Sequence, residues 1–306
     1  MMDLIISALA FLLVALIAGN TIPGCVGSII SAKILRFRTG VFIAIIGYIL
    51  GFVIEGSLLQ KTFAALMPVK AYSLVIIALM VATVIFLIVH RLRVSISLTV
   101  TFTMTVVGIS LAYGHGISLS FAALIVLFWI FVAIISFLLT ALAIRSVPSL
   151  LNGRHLWPAL KTIRVLLIVV SFLTAFSIGG NMIGLVFASV NGYADPTIIL
   201  LGIIFGSIFF SAGELRRLGN EILPVRYLNA LISQAMAFGL VEIATLASMP
   251  LSVNQVVTSS LYGAGLGYKT RLIRRRPRST IITTWLITAL ASFGLGYLLT
   301  YLLVVV

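Results

Sequence analysis

Long apolar stretches recur along the whole chain, and they constrain its fold more than any other feature of the sequence. A helix needs about 20 consecutive apolar residues to cross a bilayer, and only helices and closed barrels satisfy their backbone groups in lipid. Hydrophobic residues make up 62% and charged residues 8% of the 306, a balance that excludes a soluble domain. We therefore expect an all-α polytopic membrane protein with about ten spans, read from hydropathy as 4–32, 41–59, 71–89, 94–113, 119–144, 165–191, 197–212, 226–247, 250–268 and 280–305.

The positions of the basic residues argue against nucleic acid as a partner, although the net charge is +14. Short basic loops between apolar segments are what the positive-inside rule produces, so we expect contact with membrane lipid and no nucleic acid. The dense cluster Arg274, Arg275, Arg276 and Arg278 is the best candidate for binding anionic lipid. The remaining basic loops contain Lys33, Arg36 and Arg38, then Arg91 and Arg93, then Arg145, Arg154, Lys161 and Arg164, and finally Arg216, Arg217, Arg226 and Lys269.

The alternating charge of the loops predicts the orientation of the chain. Loops 114–118, 191–196 and 248–250 hold no Lys or Arg, and Lys61 and Lys70 are the exceptions in one further loop of the same side. Because basic loops stay in the cytoplasm, we expect a multi-pass protein of the cell membrane with both termini outside.

The loop 145–164 divides the apolar segments into two sets of five. We expect a first membrane repeat over 1–144, a cytoplasmic linker over 145–164 and a second membrane repeat over 165–306. Five is an odd number, so the second repeat begins on the side opposite to the first and has inverted topology. The alignment pairs Asn20 with Asn181 and Gly51 with Gly213.

Two corresponding apolar stretches carry helix-breaking residues at their middle, over 19–24 and over 179–184. A broken membrane helix frees backbone groups that must line a cavity or contact a ligand, and the helix start after each break favours an anion. We expect Asn20 and Asn181 to face each other across a substrate site, with Thr21 and Ser28 beside the first break. The alternative is that the glycines only pack and the amides bond their own backbone.

A second pair of segments offers further polar groups. The ninth segment begins at Pro250 and places Ser252, Asn254 and Gln255 in its first turns, where a helix start has free donors. Its counterpart in the fourth segment carries Thr101 and Thr103. The predicted substrate site therefore consists of nine polar residues around the breaks and helix starts: Asn20, Thr21, Ser28, Thr101, Thr103, Asn181, Ser252, Asn254 and Gln255. Hydroxyls in membrane helices also bond to their own preceding turn or to a neighbouring helix, which is the alternative here.

In order and spacing these segments resemble the inorganic phosphate transporter (PiT) family. Each half of that family holds a Gly-Ala-Asn-Asp-Val-Ala-Asn-Ala segment and a later Pro-Val-Ser-Thr-Thr-His segment. Residues 18–28 resemble the first copy of the former, residues 179–184 resemble its second copy, and residues 250–255 stand where the second Pro-Val-Ser-Thr-Thr-His belongs. The resemblance implies a symporter that moves inorganic phosphate by alternating access. Sulfate or another oxyanion, a passive channel and a membrane partner without transport activity remain the alternatives.

The departures from the family pattern concern the coupling ion. The acidic position of each family segment is Thr21 in one half and Met182 in the other, and the histidine positions are Met104 and Gln255. By resemblance those acids help to bind the coupling cation, so we expect a proton in place of sodium. Glu55 and Glu242 are the acids within spans, and ionisable groups in a membrane are expensive enough to suggest function. Both are candidates for proton coupling. The alternative is that each side chain only extends to the membrane–water interface.

No pattern points to catalysis. The sequence has no His-rich metal cluster, no paired carboxylates and no nucleotide loop. We therefore expect neither an enzyme nor a cofactor nor a metal site, and homo-oligomerisation stays open.

Overall fold

The computed structural model describes residues 1–91, 97–114, 118–151, 156–213, 227–267 and 278–306, and every regular element among them is helical. The helices are α1 (Met2–Ser31), α2 (Phe37–Glu55), α3 (Gln60–Leu66), α4 (Tyr72–Arg91), α5 (Leu98–Tyr113), α6 (Leu119–Leu151), α7 (Leu156–Ile178), α8 (Gly184–Val190), α9 (Pro196–Phe209), α10 (Tyr227–Leu246), α11 (Val253–Gly267) and α12 (Arg278–Thr300). A π-helical turn, Gly179–Ile183, joins α7 to α8, and a second one, Tyr301–Val305, ends the chain.

The length and surface of these helices are those of a membrane protein. Six described helices are long and apolar enough to cross a membrane, and three shorter ones are also apolar. Large apolar side chains such as Leu127 and Leu290 are 64% and 67% exposed on the outside of the bundle, where lipid and not water suits them. The prediction of an all-helical, multi-pass membrane protein is therefore confirmed.

The two predicted helix breaks are not unwound. Helix α1 runs without interruption through residues 19–24 with Pro23 inside it, and residues 179–183 form a π-helical turn continuous with α7 and α8. A proline removes only one helical donor, and lipid gives an unwound backbone no other hydrogen-bond partner. The helical conformation is therefore more stable here than the turn that glycine and proline favour locally. The prediction of broken helices at these two places is wrong.

Two connections also differ from the predictions. Residues 145–164, expected to be a loop, are largely helical because α6 continues to Leu151 and α7 begins at Leu156. Pro158 lies in the first turn of α7, where its missing N–H is not needed. The short α3 was not predicted, since its seven residues are fewer than a periodic pattern needs.

The helices of the two halves interlock, with small residues at the crossings. Helix α1 packs on α9, α2 on α7, α5 on α12, and α6 on α11. At each crossing a glycine replaces a side chain that would overlap the opposing backbone: Gly206 against Ala15, Gly51 against Phe176, Gly108 against Phe293, and Gly263 against Phe137. Small residues let membrane helices approach closely where dispersion drives association.

The connections meet at two opposite ends of the bundle. At one end Tyr227 donates its hydroxyl to the Ala32 carbonyl at 3.3 Å, and Arg164 lies over the Tyr227 ring at 5.6 Å. At the other, which we call the Lys70 end, residues 56–71, 188–195 and 247–252 contact one another. Several predicted basic or loop positions lie outside the described residues: Arg93, His115, Arg154, Arg216, Arg217, Arg226, Lys269 and 274–277 of the arginine cluster.

Candidate oxyanion site

The segment 247–252, which precedes α11, has a non-helical backbone. Side chains from several helices bind its carbonyl groups. Thr62 donates to Ser248, Asn181 Nδ2 to Met249 at 2.9 Å, Trp129 Nε1 to Pro250 at 2.7 Å, and Thr99 to Leu251 at 3.5 Å. A non-helical backbone at membrane depth is tolerated only where protein or a cavity satisfies it. Side chains of the protein thus satisfy the carbonyl groups on both sides of Pro250.

Asn181 is the centre of this arrangement. Its side chain is fully buried, its Nδ2 also donates to Thr245 Oγ1 at 3.0 Å, and its Oδ1 accepts from the Leu251 N–H at 2.9 Å. The structure thus brings together two elements of the predicted site, the Asn181 turn and the Pro250 helix start. These bonds direct the amide toward α10 and the 247–252 segment, so it does not face Asn20 of α1, which is half-buried.

The first turn of α11 lies against α1. Ser252 is buried and its Oγ accepts from the Gln255 N–H at 3.3 Å, which makes it the N-terminal cap of the helix. Asn254 Oδ1 lies 3.8 Å from the position that a Cβ on Gly24 would take. One turn further along α1, the buried Ser28 hydroxyl has no hydrogen-bond partner, and the same holds for the Gln255 Oε1 atom.

Gln234 of α10, which is not among the residues predicted from the sequence, completes this junction. Its Nε2 donates to the Gly24 carbonyl at 2.5 Å, which directs Oε1 away from that carbonyl. The side chain is only 5% exposed, and Oε1 is buried without a partner. Unpaired buried acceptors cost free energy and call for an explanation such as a ligand. The only sequence signal was an amide in the middle of an apolar span.

The threonines of α5 divide into different roles. Thr101 donates to the Ser97 carbonyl at 3.0 Å. Its hydroxyl therefore bonds to the preceding turn of its own helix, which was the alternative to substrate binding. Thr103 Oγ1 is buried without a partner, and Thr99 is the one that reaches the 247–252 segment. Thr99 also lines a small apolar cavity between α1, α5 and α8, together with Leu13, Ile17, Leu98, Phe102, Met182, Leu185 and Val186.

Thr21 and Met182 stand where the PiT family has acids, and the two residues have different surroundings. The Thr21 hydroxyl bonds the Ile17 carbonyl at 2.8 Å and the hydroxyl of fully buried Tyr48 at 2.7 Å, so its oxygen is already used. Met182 lines the apolar cavity. A hard cation such as sodium prefers several oxygen ligands, and a thioether is a poor substitute.

Glu55 and Glu242 meet across the two halves of the chain. Their carboxyl groups lie close to each other, and Ser177 donates to Glu242 at 2.5 Å. Glu55 is 7% exposed, its Oε2 has no hydrogen-bond partner, and its side chain packs on Gly180 of the π-helical turn. The sequence offered no sign of this pair, because residues distant in the chain meet only in the fold.

Known proteins similar to this chain are transporters. A solved structure titled the sodium-dependent phosphate transporter superposes with a TM-score of 0.79 at 18% identity, covering 100% of this chain and 99% of that chain. This likeness shows the fold. Residues 152–296 match the phosphate transporter family.

This match spans slightly less than half of the chain. The resemblance predicted from the sequence is thus confirmed, and so is the expectation of a transporter and not an enzyme. The sulfate permease CysP of Bacillus subtilis (strain 168) is a further relative, 26% identical over 188 residues. That alignment covers 58% of this chain and 52% of the permease, so the chain spans about half the length of this curated relative.

Proposed function

We propose that this phosphate transporter family protein carries inorganic phosphate, or a similar tetrahedral oxyanion, across the cell membrane by alternating access. The packing of helices from the two halves carries this proposal. The pairs α1–α9, α1–α4, α4–α5 and α5–α12 each have a counterpart in α7–α2, α7–α10, α10–α11 and α11–α6. Mirrored pairing of this kind supports inverted repeats over 1–144 and 165–306, which is the arrangement of many alternating-access transporters.

The glycines at the helix crossings support the same relation and refine it. Gly51 of α2 packs on the backbone of α7, and Gly206 of α9 packs on the backbone of α1 in the same manner. Gly213, the residue that the sequence alignment paired with Gly51, has no atom within 4 Å of a built Cβ. Gly206 is therefore the better counterpart of Gly51.

The oxyanion is held by neutral groups where α1, α10 and α11 meet. Gln234 contacts Gly24 directly, and Asn254 lies beside Gly24. Ser28 and Gln255 add polar atoms without partners. Asn20, Thr103 and the Ser252 helix start belong to the same proposed site, whereas Thr21, Thr101 and Asn181 support it through the bonds they make within the protein. The Ser28 hydroxyl and the positive end of α11 suit an anion without any arginine. The Gln234 and Gln255 Oε1 atoms are acceptors, so they bind the hydroxyl group of a protonated phosphate.

Transport is coupled to a proton through the Glu55–Glu242 pair. Two neighbouring carboxylates in a low-dielectric setting cannot both stay ionised, so the pair retains a proton. The pair joins α2 of one half to α10 of the other and touches the π-helical turn beside Asn181. Protonation therefore alters the contact between the halves. The positions of Thr21 and Met182 offer no free oxygen for sodium, although the structural relative is titled sodium-dependent.

Uptake by reconstituted vesicles tests the function. We expect labelled phosphate to accumulate under an inward proton gradient, and not under a sodium gradient at fixed pH and potential. Sulfate is measured in parallel, since the CysP relative makes it the second candidate. Equilibration without accumulation under any gradient would indicate a passive channel, and no flux of either anion would refute the proposed function.

Two carboxamide variants test the coupling. We expect Glu55→Gln and Glu242→Gln each to abolish accumulation driven by the proton gradient while exchange of phosphate for phosphate continues, because exchange needs no net proton movement. Asp195, an exposed acid that caps α9 through Thr197, provides the control Asp195→Asn. Accumulation that persists in both Glu variants would exclude the pair as the proton carrier.

Labelling of single cysteines tests the orientation. The native Cys25 is fully buried and adds little background. We expect cysteine at Ser118 to react with an impermeant reagent in intact cells and cysteine at Arg38 to react only after permeabilisation. The opposite pattern would reverse the proposed placement of both termini outside.

A further inference from the structure

Lys70 departs from the charge pattern of the chain. It is one of two basic residues, with Lys61, in the loops that otherwise hold no Lys or Arg. Lys61 is exposed, whereas Lys70 is half-buried in the connection between α3 and α4. A lysine that loses water needs a reason, because burial penalises its charge.

The ammonium group of Lys70 is held against the second half of the chain. Its Nζ donates to the Ala188 carbonyl at 2.7 Å and lies 5.3 Å from the centre of the Phe63 ring. Tyr193 donates its hydroxyl to the Lys70 carbonyl at 2.8 Å, which holds the backbone of the lysine in place. Ala188 belongs to the last turn of α8, so the ammonium also meets the negative end of that helix.

No acid of the described residues neutralises Lys70. Asp195 at this end of the bundle is bonded to Thr197, and Asp3 lies close to the Tyr72 hydroxyl. Burial lowers the pKa of Lys70 below its ordinary 10.5, with no charged neighbour contributing. The cation is thus held by neutral groups alone, and an anion would bind it more strongly than the Ala188 carbonyl does, since the hydrogen bond would then join two opposite full charges.

The same contacts hold α3 over the interior of the protein. The Phe63 ring of α3, which carries the Lys70 ammonium, stacks on Phe102 at 6.5 Å between ring centres, and Phe102 lines the apolar cavity beside Met182. Thr62 of α3 donates to Ser248 in the 247–252 segment. Helix α3 therefore covers both the cavity and the irregular segment that precedes α11.

We propose that Lys70 is the first oxyanion-binding residue on the transport path and that its bond to Ala188 is a latch on α3. An arriving phosphate or sulfate binds the Lys70 ammonium in place of the Ala188 carbonyl. The bond between Lys70 and α8 is then broken, and α3 is released from the second half. This inference rests on the proposed oxyanion transport. It explains why a lone basic residue is half-buried at an end of the bundle that otherwise avoids basic loops.

The first test measures phosphate uptake by vesicles containing Lys70→Gln, Lys70→Arg or Lys61→Gln. Glutamine keeps a donor for Ala188 but lacks the charge, and arginine keeps the charge. We expect Lys70→Gln to raise the KM for phosphate about tenfold, the loss expected for one hydrogen bond to a charged group. Lys70→Arg should stay within about threefold, and Lys61→Gln, which removes the same charge from an exposed position of α3, should leave KM unchanged.

The second test measures the movement of α3 away from the apolar cavity, and it does not depend on transport of the anion. A cysteine at Leu98, a buried residue of the cavity lining, reacts with a soluble thiol reagent only when α3 lifts. We expect phosphate or sulfate to accelerate this labelling in the native background and in Lys61→Gln, while chloride at equal ionic strength does not. In Lys70→Gln the acceleration should be lost.

The outcomes separate this inference from the proposed function. Labelling at residue 98 that ignores phosphate and sulfate in the native background would overturn the latch, even if both anions are transported. Equal increases of KM in Lys61→Gln and Lys70→Gln would reduce Lys70 to a general surface charge and overturn it as well. Labelling that responds as expected in vesicles without any uptake would leave the anion site standing and refute transport.

Discussion

Replacing Asn181 with alanine should destabilise the protein far more than it weakens anion binding. The change leaves the Leu251 N–H and the Met249 carbonyl buried without partners, whereas Thr245 still donates to Val241 at 2.8 Å. An unsatisfied buried group costs about 1–3 kcal/mol, so two of them cost roughly 2–6 kcal/mol. That loss corresponds to a Tm lower by roughly 5–15 °C for a domain of this size.

The assay uses the only cysteine of the chain. Cys25 is fully buried, so the reaction of its thiol with a fluorogenic maleimide during heating in detergent reports unfolding. Asn20→Ala is the matched control, because Asn20 holds the corresponding place in α1 and is half-buried. We expect its Tm to fall by less than about 3 °C, as for one modest polar contact.

Two results would refute this reasoning. Equal Tm values for Asn181→Ala and the native protein would show that the 247–252 segment does not depend on the Asn181 amide. If added phosphate raised the Tm of the native protein but not of Asn181→Ala, the amide would bind the ligand and not the segment, since a ligand stabilises whatever form it binds.

Three further substitutions, the first of them with a matched control, test the packing and the site. Gly206→Ala should cost about 1–3 kcal/mol because a Cβ there overlaps the backbone of α1, whereas Gly239→Ala, which has open space, should leave Tm unchanged or raised; equal effects would contradict the tight crossing. Tyr48→Phe should lower stability by about 1 kcal/mol through the lost bond to Thr21 and should not make uptake sodium-dependent; a new sodium requirement would show that the hydroxyl had blocked a cation site. Gln234→Leu should lower Tm only slightly, because it removes the costly unpaired Oε1 together with the Nε2 bond to the Gly24 carbonyl, but it should raise the KM for phosphate roughly tenfold by removing the acceptor for a phosphate hydroxyl; an unchanged KM would remove Gln234 from the site.

The sequence by itself determined the class of the protein, the approximate place of its apolar helices and its family. These properties are local, since hydropathy over about 20 residues decides whether a helix enters lipid. It also identified Pro250 and Asn181 as special, because proline and a buried amide are rare in spans. The sequence could not tell that residues 19–24 stay helical, since local propensity favoured a break and the need to satisfy backbone groups in lipid overrode it.

Only the tertiary structure decided which polar groups meet. The pairing of Glu55 with Glu242, the bond from Gln234 to Gly24 and the contact of Lys70 with Ala188 all join residues from different halves of the chain. Hydropathy carries no information about such contacts, because it depends on what each segment contains and not on how it is rotated. Rotation is set by where glycines such as Gly51 and Gly206 let two backbones approach, and that shape exists only once the helices are packed.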